Sequence, residues 1–205
     1  MPSVVEEDIS KTNKLINKGK GAGGANTNKN GLSYEIIKDL STEYEIIKKE
    51  KSYKIIKFNK HNIELIFTKD LSKCIENINK NINKNIINKK NKLGHGCKRF
   101  DECYINQKDK IIFIIEKKFQ KVAGSVCEKI QTYEFKMWNL KKIYINYNIV
   151  YMYCLSDWFR NNCQTELEYL QEKKCKIFWG NNKNYKNDII NYITSYKLQV
   201  INYKL

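Results

Sequence analysis

The stretch KRFDECYINQKDKIIFIIEKKFQKVAGSVCEK, from Lys98 to Lys129, decides the fold of this chain. Residues 100–106 have a short strand pattern, residues 107–110 are polar and turn-like, and residues 111–119 form a β-branched, aromatic run of strand length. A Ser-x-x-Glu capping box at 125–128 then predicts the start of a helix. The sequence therefore predicts a β-hairpin followed by a core helix.

The second strand of this hairpin ends in three charged residues, Glu116, Lys117 and Lys118. Because strand side chains alternate, Glu116 and Lys118 share one face, while Lys117 lies on the other. Gln120 continues the face of Glu116. A carboxylate and an ammonium group at the end of a buried strand are costly unless they are paired or bind a metal ion. The pattern therefore indicates that these charged side chains are paired or bind a metal ion.

Asp101 lies near the start of the first strand, and a hairpin can bring it beside Glu116. Two hard carboxylates suit Mg²⁺, which keeps several waters and completes its shell with substrate phosphate. Lys118, on the same face as Glu116, could orient or deprotonate a metal-bound water and stabilise charge in the transition state. The alternative is a chance Glu-Lys-Lys in a lysine-rich chain, with Asp101 an ordinary strand-edge residue.

The arrangement Asp-X(n)-Glu-X-Lys resembles the PD-(D/E)XK nuclease superfamily, and more narrowly its type II restriction endonuclease-like branch. The phrase EKKFQKVAGSVCEKIQ is similar to the part of that branch where the catalytic strand turns through Gly-Ser/Thr into the core helix. The resemblance implies that Asp101 and Glu116 bind the metal ion and that Lys118 is the catalytic lysine. It also implies an auxiliary polar role for Gln120. One departure is Phe100, which stands where the family's nominal proline would be.

A second element of the resemblance lies upstream, in the helical pattern of residues 32–40, LSYEIIKDL. Ile36, Ile37 and Leu40 belong to one predicted apolar stripe of this helix. Glu35 lies near its N-terminal end and resembles the helix glutamate that approaches the metal site in restriction-like nucleases. The resemblance implies that Glu35 is a third metal-binding carboxylate, and the alternative is a solvated helix residue.

A glycine-rich segment at 19–31, GKGAGGANTNKNG, holds five of the nine glycines in the chain. It has no P-loop pattern and no preceding strand, so we expect no nucleotide cofactor. Its bare backbone N–H groups, with Lys20 and Lys29, can follow a phosphate backbone. Asn26 and Asn28 can reach base edges. The alternative is a flexible surface loop.

The overall charge of +16 and the pI near 9.4 favour a polyanionic partner. Part of this excess has another explanation, because the abundance of Asn, Lys, Ile and Tyr is typical of an A+T-rich coding sequence. The low-complexity tract at 77–92 is either a basic arm or an expanded linker. Seven irregularly spaced cysteines without C-x-x-C predict reduced, buried thiols. We expect a soluble, intracellular protein that does not span a membrane.

These observations predict a single α/β domain at 32–205, preceded by an N-terminal segment and loop at 1–31. The expected architecture is restriction-endonuclease-like, a mixed, partly antiparallel sheet with helices on both sides. The expected function is Mg²⁺-dependent hydrolysis of double-stranded DNA by a site-specific type II homodimer. The alternatives are a non-catalytic DNA-binding protein on the same fold and an RNA- or structure-specific nuclease. The other predicted elements are a hairpin at 52–58 and 62–67, helices at 70–81, 125–139, 164–173 and 187–196, and strands at 143–155 and 176–179.

Overall fold

A single seven-stranded mixed sheet organises the protein, and its strands are ordered as they occur in the chain. The computed structural model describes residues 32–82, 93–94, 97–121 and 126–202. Neighbouring strands are antiparallel from the first to the fifth and parallel from the fifth to the seventh. The strands are β1 (Tyr44–Lys49), β2 (Lys54–Phe58), β3 (Glu64–Thr68), β4 (Glu102–Asn106), β5 (Ile111–Lys118), β6 (Asn148–Leu155) and β7 (Lys176–Trp179).

Seven α-helices among the described residues pack against this sheet, and a 3-10 turn at Ser41–Glu43 precedes β1. None of them is both long enough and apolar enough to cross a membrane. The helices are α1 (32–37), α2 (Leu71–Ile82), α3 (Val126–Gln131), α4 (Tyr133–Ile143), α5 (Trp158–Asn162), α6 (Gln164–Glu172) and α7 (Tyr185–Asn202).

The buried strand β5 separates two apolar cores because its side chains alternate. Ile112 and Ile114 pack with residues of α2 to α6 on one face of the sheet. Phe113 and Ile115 pack with α7 and with Leu40 on the other face. The predicted mixed sheet with helices on both sides is therefore confirmed as an architecture.

The predicted hairpin is also confirmed. Glu102 lies opposite Ile115 and Asn106 lies opposite Ile111 in the antiparallel pairing of β4 with β5. The connecting turn includes Lys110, whose φ of 55° is in the left-handed region. Because the first residue of β4 pairs with Ile115, the charged residues that follow Ile115 in β5 lie beside the start of β4.

The two elements that follow the hairpin directly have boundaries other than those predicted. The predicted core helix is divided at Thr132 into α3 and α4. The Thr132 hydroxyl donates to the backbone carbonyl of Lys129 at 2.7 Å, a local bond that competes with regular helix geometry. The strand predicted at 143–155 begins only at Asn148, because Ile143 still closes α4.

The first helix departs from its predicted apolar stripe. Ile36 and Ile37 are exposed by 40% and 67%, whereas Tyr34 and Leu40 are buried. Strand β1 follows at the edge of the sheet and was not predicted, because its sequence YEIIKK is mostly exposed and lacks clear alternation. Tertiary contacts of Tyr34, rather than helical periodicity, decide which side of α1 faces the protein.

The prediction of reduced thiols is wrong for two cysteines. Cys127 in α3 and Cys163, which precedes α6, form a disulfide that links the two helices. This pairing could not be read from an irregular spacing, because it depends on how α3 and α6 pack. The free cysteines among the described residues are all buried, as predicted: Cys74, Cys97, Cys103, Cys154 and Cys175.

The central position of β5 generates a stability prediction. Ile114→Ala should reduce the free energy of unfolding by about 2–5 kcal/mol, because it leaves a cavity in a fully buried site. Ile47→Ala, in the exposed edge strand β1, is the matched control and should change the free energy by less than about 0.5 kcal/mol. Urea denaturation of both variants makes the comparison, and equal losses would contradict the assigned core.

Candidate active site

The hairpin brings Asp101, Glu116 and Lys118 together at the end of β5. The Lys118 Nζ is 2.6 Å from the Glu116 Oε2 and 3.8 Å from the Asp101 Oδ2. Asp101 is held in turn by the backbone N–H of Lys117, which donates to its Oδ2 at 2.6 Å. The two acids and the amine that the sequence predicts to converge therefore do so, on the face of the sheet that carries α4.

Two residues that sequence reasoning did not assign to the site complete the surroundings of Glu116. The Lys136 Nζ, from α4, donates to the Glu116 Oε1 at 3.0 Å. The Tyr151 hydroxyl, from β6, donates to the same oxygen at 2.9 Å. The Lys136 Nζ and the Tyr151 hydroxyl are themselves 3.1 Å apart. Glu116 is thus a buried carboxylate with two ammonium partners.

Glu35, from α1, is half-buried and interacts electrostatically with this group. Burial is the main cause that raises the pKa of its carboxyl to about 7, and the negative charge of Asp101 adds to it against the opposing attraction of Lys118. A carboxyl with a pKa near neutrality changes its charge readily when a cation arrives. The structure therefore places Glu35 beside the predicted carboxylates instead of in solvent.

The other charges of the site are set by competition between burial and neighbouring groups. Burial raises the pKa of Asp101 despite the attraction of Lys118. At Glu116 burial acts in the same direction, but Lys118 and Lys136 outweigh it and hold the pKa below its usual value. For Lys118, burial disfavours the charge, yet Glu116 and Asp101 raise its pKa overall. In this arrangement Lys118 is a cation and Glu116 an anion at neutral pH.

A close contact docks α1, which carries Glu35, against the ends of the parallel strands. The Tyr34 ring packs against Phe119, with ring centroids 5.2 Å apart, and its hydroxyl is 3.9 Å from the Cys154 sulfur. A Cβ atom at Gly180 would overlap the Tyr34 hydroxyl, so this position requires glycine for the close approach. The contact fixes α1 beside the end of β5.

The remaining predicted site residues are placed differently. Gln120 lies just beyond β5, where its backbone N–H donates to the Ser156 hydroxyl at 3.2 Å. This contact supports the strand end and does not test the predicted auxiliary role. The DNA-contacting residues predicted in the glycine-rich loop, Lys20, Asn26, Asn28 and Lys29, lie outside the described residues.

The donor chemistry of the site fits Mg²⁺, since Asp101, Glu116 and Glu35 offer hard carboxylate oxygens. The arrangement is not a ready-made metal cage. Within the ranges that the structure describes, no group of three or more His, Cys, Asp or Glu residues is placed to hold a metal ion as it stands. A metal ion bound by Glu116 would compete with the ammonium groups of Lys118 and Lys136 for its oxygens.

Comparisons with known proteins give no match. No protein-family model matches the chain. No curated protein and no solved structure matches it either. The resemblance to PD-(D/E)XK nucleases therefore depends on the residues and geometry described above.

The pairing of Glu116 generates a pH-dependent prediction. Lys136→Met should raise the pKa of the Glu116 carboxyl, because it removes one of the two cations that lower it. A carboxyl whose pKa is lower in the folded state stabilises the fold at any pH above its unfolded-state pKa, and this stabilisation is lost as the pH falls through the folded-state pKa. Because Lys136→Met removes part of this shift, the variant should be less stable at neutral pH. Carboxyl ¹³C NMR titration measures the pKa, and Lys129→Met, on the exposed side of α3, is the control. An unchanged Glu116 titration would contradict the pairing.

Proposed function

We propose that this protein is a Mg²⁺-dependent endonuclease that hydrolyses phosphodiester bonds of DNA. The observation that carries the proposal is the convergence of Asp101, Glu116 and Lys118 at the end of one buried strand. Glu35, from the separate element α1, is a third carboxyl group whose pKa is influenced by the charges of Asp101 and Lys118. Buried carboxylates and a lysine grouped in this way match the chemistry of metal-assisted phosphoryl transfer.

The residues that would hold Mg²⁺ are Asp101 and Glu116, with Glu35 as a third ligand. When bound, the metal ion supplies a Lewis acid for the phosphate and lowers the pKa of a coordinated water. The Lys118 side chain would position and activate the attacking water and stabilise negative charge on the phosphate. Lys136 adds a second positive charge beside Glu116.

The proposed substrate is double-stranded DNA, and the proposed setting is a site-specific type II enzyme that acts as a homodimer. The net charge of +16 supports a polyanionic substrate. The physical reason for a homodimer is that its two-fold symmetry matches a palindromic site, so that each protomer cuts one strand. Affinity from lysine–phosphate contacts should fall steeply as salt rises.

One observation favours a second candidate, a non-catalytic DNA-binding protein on the same fold. Both carboxylate oxygens of Glu116 already have partners in Lys118, Lys136 and Tyr151. An ion cluster satisfied in this way can serve stability alone. Such a protein would bind DNA and leave it intact.

Plasmid DNA incubated with the protein in Mg²⁺, and in EDTA, tests the proposal. Discrete fragments that require Mg²⁺ would support a site-specific enzyme, and smearing would indicate a non-specific nuclease. A gel shift without cleavage would support the binding protein. Cleavage of structured RNA but not of plasmid would assign the activity to an RNA- or structure-specific nuclease. Cleavage that persists in EDTA would overturn the metal-dependent mechanism.

Substitutions within the site generate a matched prediction. Glu116→Gln and Lys118→Met should each lower the cleavage rate by at least about 10²-fold, because they remove a metal ligand and a transition-state cation. DNA binding, measured by gel shift in EDTA, should be retained.

Glu128→Gln and Lys129→Met make the same two changes on the exposed side of α3 and serve as controls. They should cleave as the unmodified protein does. Normal cleavage by both site variants would show that the catalytic residues are assigned wrongly.

A further inference from the structure

The residue between the predicted metal ligand and the predicted catalytic lysine has its own buried network on the opposite face of the sheet. The Lys117 Nζ is 2.7 Å from the Glu102 Oε1, and these side chains are exposed by only 2% and 0%. The same ammonium group donates to the backbone carbonyl of Glu35 at 3.0 Å. A buried cation in β5 thus contacts the helix that carries the third carboxylate.

Glu102 extends this network to the segment that follows α1. Its Oε1 accepts the backbone N–H of Leu40 at 2.9 Å, and its Oε2 accepts the Tyr104 hydroxyl at 3.0 Å. Helix α1 and the segment that follows it are therefore bound to the sheet at two points, the Glu35 carbonyl and the Leu40 amide. The first point depends on the Lys117 ammonium group and the second on the Glu102 side chain.

Stability alone does not account for this ion pair. Two charges lose their hydration on burial, and apolar residues of similar volume often stabilise a core as well or better. The ion pair has a geometric effect, because its two side chains also form hydrogen bonds with the backbone of Glu35 and of Leu40. The backbone N–H of Lys117 also holds Asp101. One residue therefore contacts two of the three acids of the site.

We infer that Lys117 is a positioning residue, whose ammonium group holds Glu35 at the metal site from the far side of the sheet. The inference rests on the proposed role of Glu35 as a metal ligand. Without the Lys117 ammonium, α1 keeps its Tyr34 contact but loses the bond to the Glu35 carbonyl. Glu35 then contributes less to metal binding, although its own side chain is unchanged.

The double variant Lys117→Met/Glu102→Gln tests this inference without leaving an unpaired buried charge. The amide introduced by Glu102→Gln can still accept the Leu40 N–H, so the change isolates the Lys117 ammonium. The matched control is Lys48→Met/Glu50→Gln, which makes the same two changes at an exposed ion pair of 2.7 Å beside the edge strand. All measurements use the full chain.

The first readout is Mn²⁺ affinity, measured by titration calorimetry in a double-mutant cycle with Glu35→Gln. In the unmodified protein and in the control, Glu35→Gln should weaken Mn²⁺ binding about 10–100-fold. In the Lys117→Met/Glu102→Gln background it should have little further effect, because Glu35 is no longer positioned. An undiminished effect of Glu35→Gln in that background would overturn the inference, and a general loss of stability would not produce this coupling.

The second readout is amide hydrogen exchange, which does not depend on metal binding. The amide of Lys38, which donates to the Tyr34 carbonyl at 2.9 Å, should exchange at least about tenfold faster in the double variant, while amides of β6 stay protected. Unchanged exchange would overturn the anchoring role of Lys117. If the unmodified protein binds no Mn²⁺, the proposed function fails, and hydrogen exchange alone still decides whether Lys117 holds α1.

A measurement on the unmodified protein covers the case in which the double variant does not fold. In ¹⁵N-lysine spectra, the Lys117 ammonium protons should exchange slowly and show contacts to the amides near Glu35. Rapidly exchanging ammonium protons without these contacts would overturn the inference.

Discussion

Three consecutive charges at the end of β5, two of them buried and the third half-buried, are the constraint on which the rest of the site depends. Glu116 and Lys117 are almost fully buried, and an uncompensated charge in either position would be strongly destabilising. Because strand side chains alternate, one face cannot supply partners for both. Glu116 is balanced by Lys118 and Lys136 on one face, and Lys117 by Glu102 on the other.

This two-sided compensation explains why distant parts of the chain meet at one place. The pairing of β4 with β5 delivers Asp101 to one face and Glu102 to the other, since they are adjacent in sequence. The change from antiparallel to parallel pairing at β5 then brings Tyr151 of β6 beside Glu116. Helix α4 crosses the same face and contributes Lys136. The site is assembled from local alternation and sheet topology together.

Most of the sheet could be predicted from the sequence, because its strands are short apolar runs bounded by turn residues. The convergence of Asp101 with Glu116 followed from the hairpin alone. Lys136 could not be assigned, because its contact with Glu116 depends on how α4 packs against the sheet. The Lys117–Glu102 pair was not predicted either, although the alternation of β5 placed Lys117 on the far face. A buried lysine in a strand is the signal that should prompt a search for a buried acid on the neighbouring strand.

The charges of the site also indicate why two lysines and a divalent cation are compatible with one another. Three carboxylates, from Glu35, Asp101 and Glu116, face two ammonium groups, and the pKa of Glu35 near 7 allows it to be neutral at little cost. Without a cation, partial protonation of Glu35 near neutral pH reduces the negative charge of the group. A divalent cation would favour the charged form of all three acids and leave a net positive charge, which a phosphodiester anion can neutralise. Under the proposed function, the site would become positive when it binds a metal ion and would then attract a phosphate backbone.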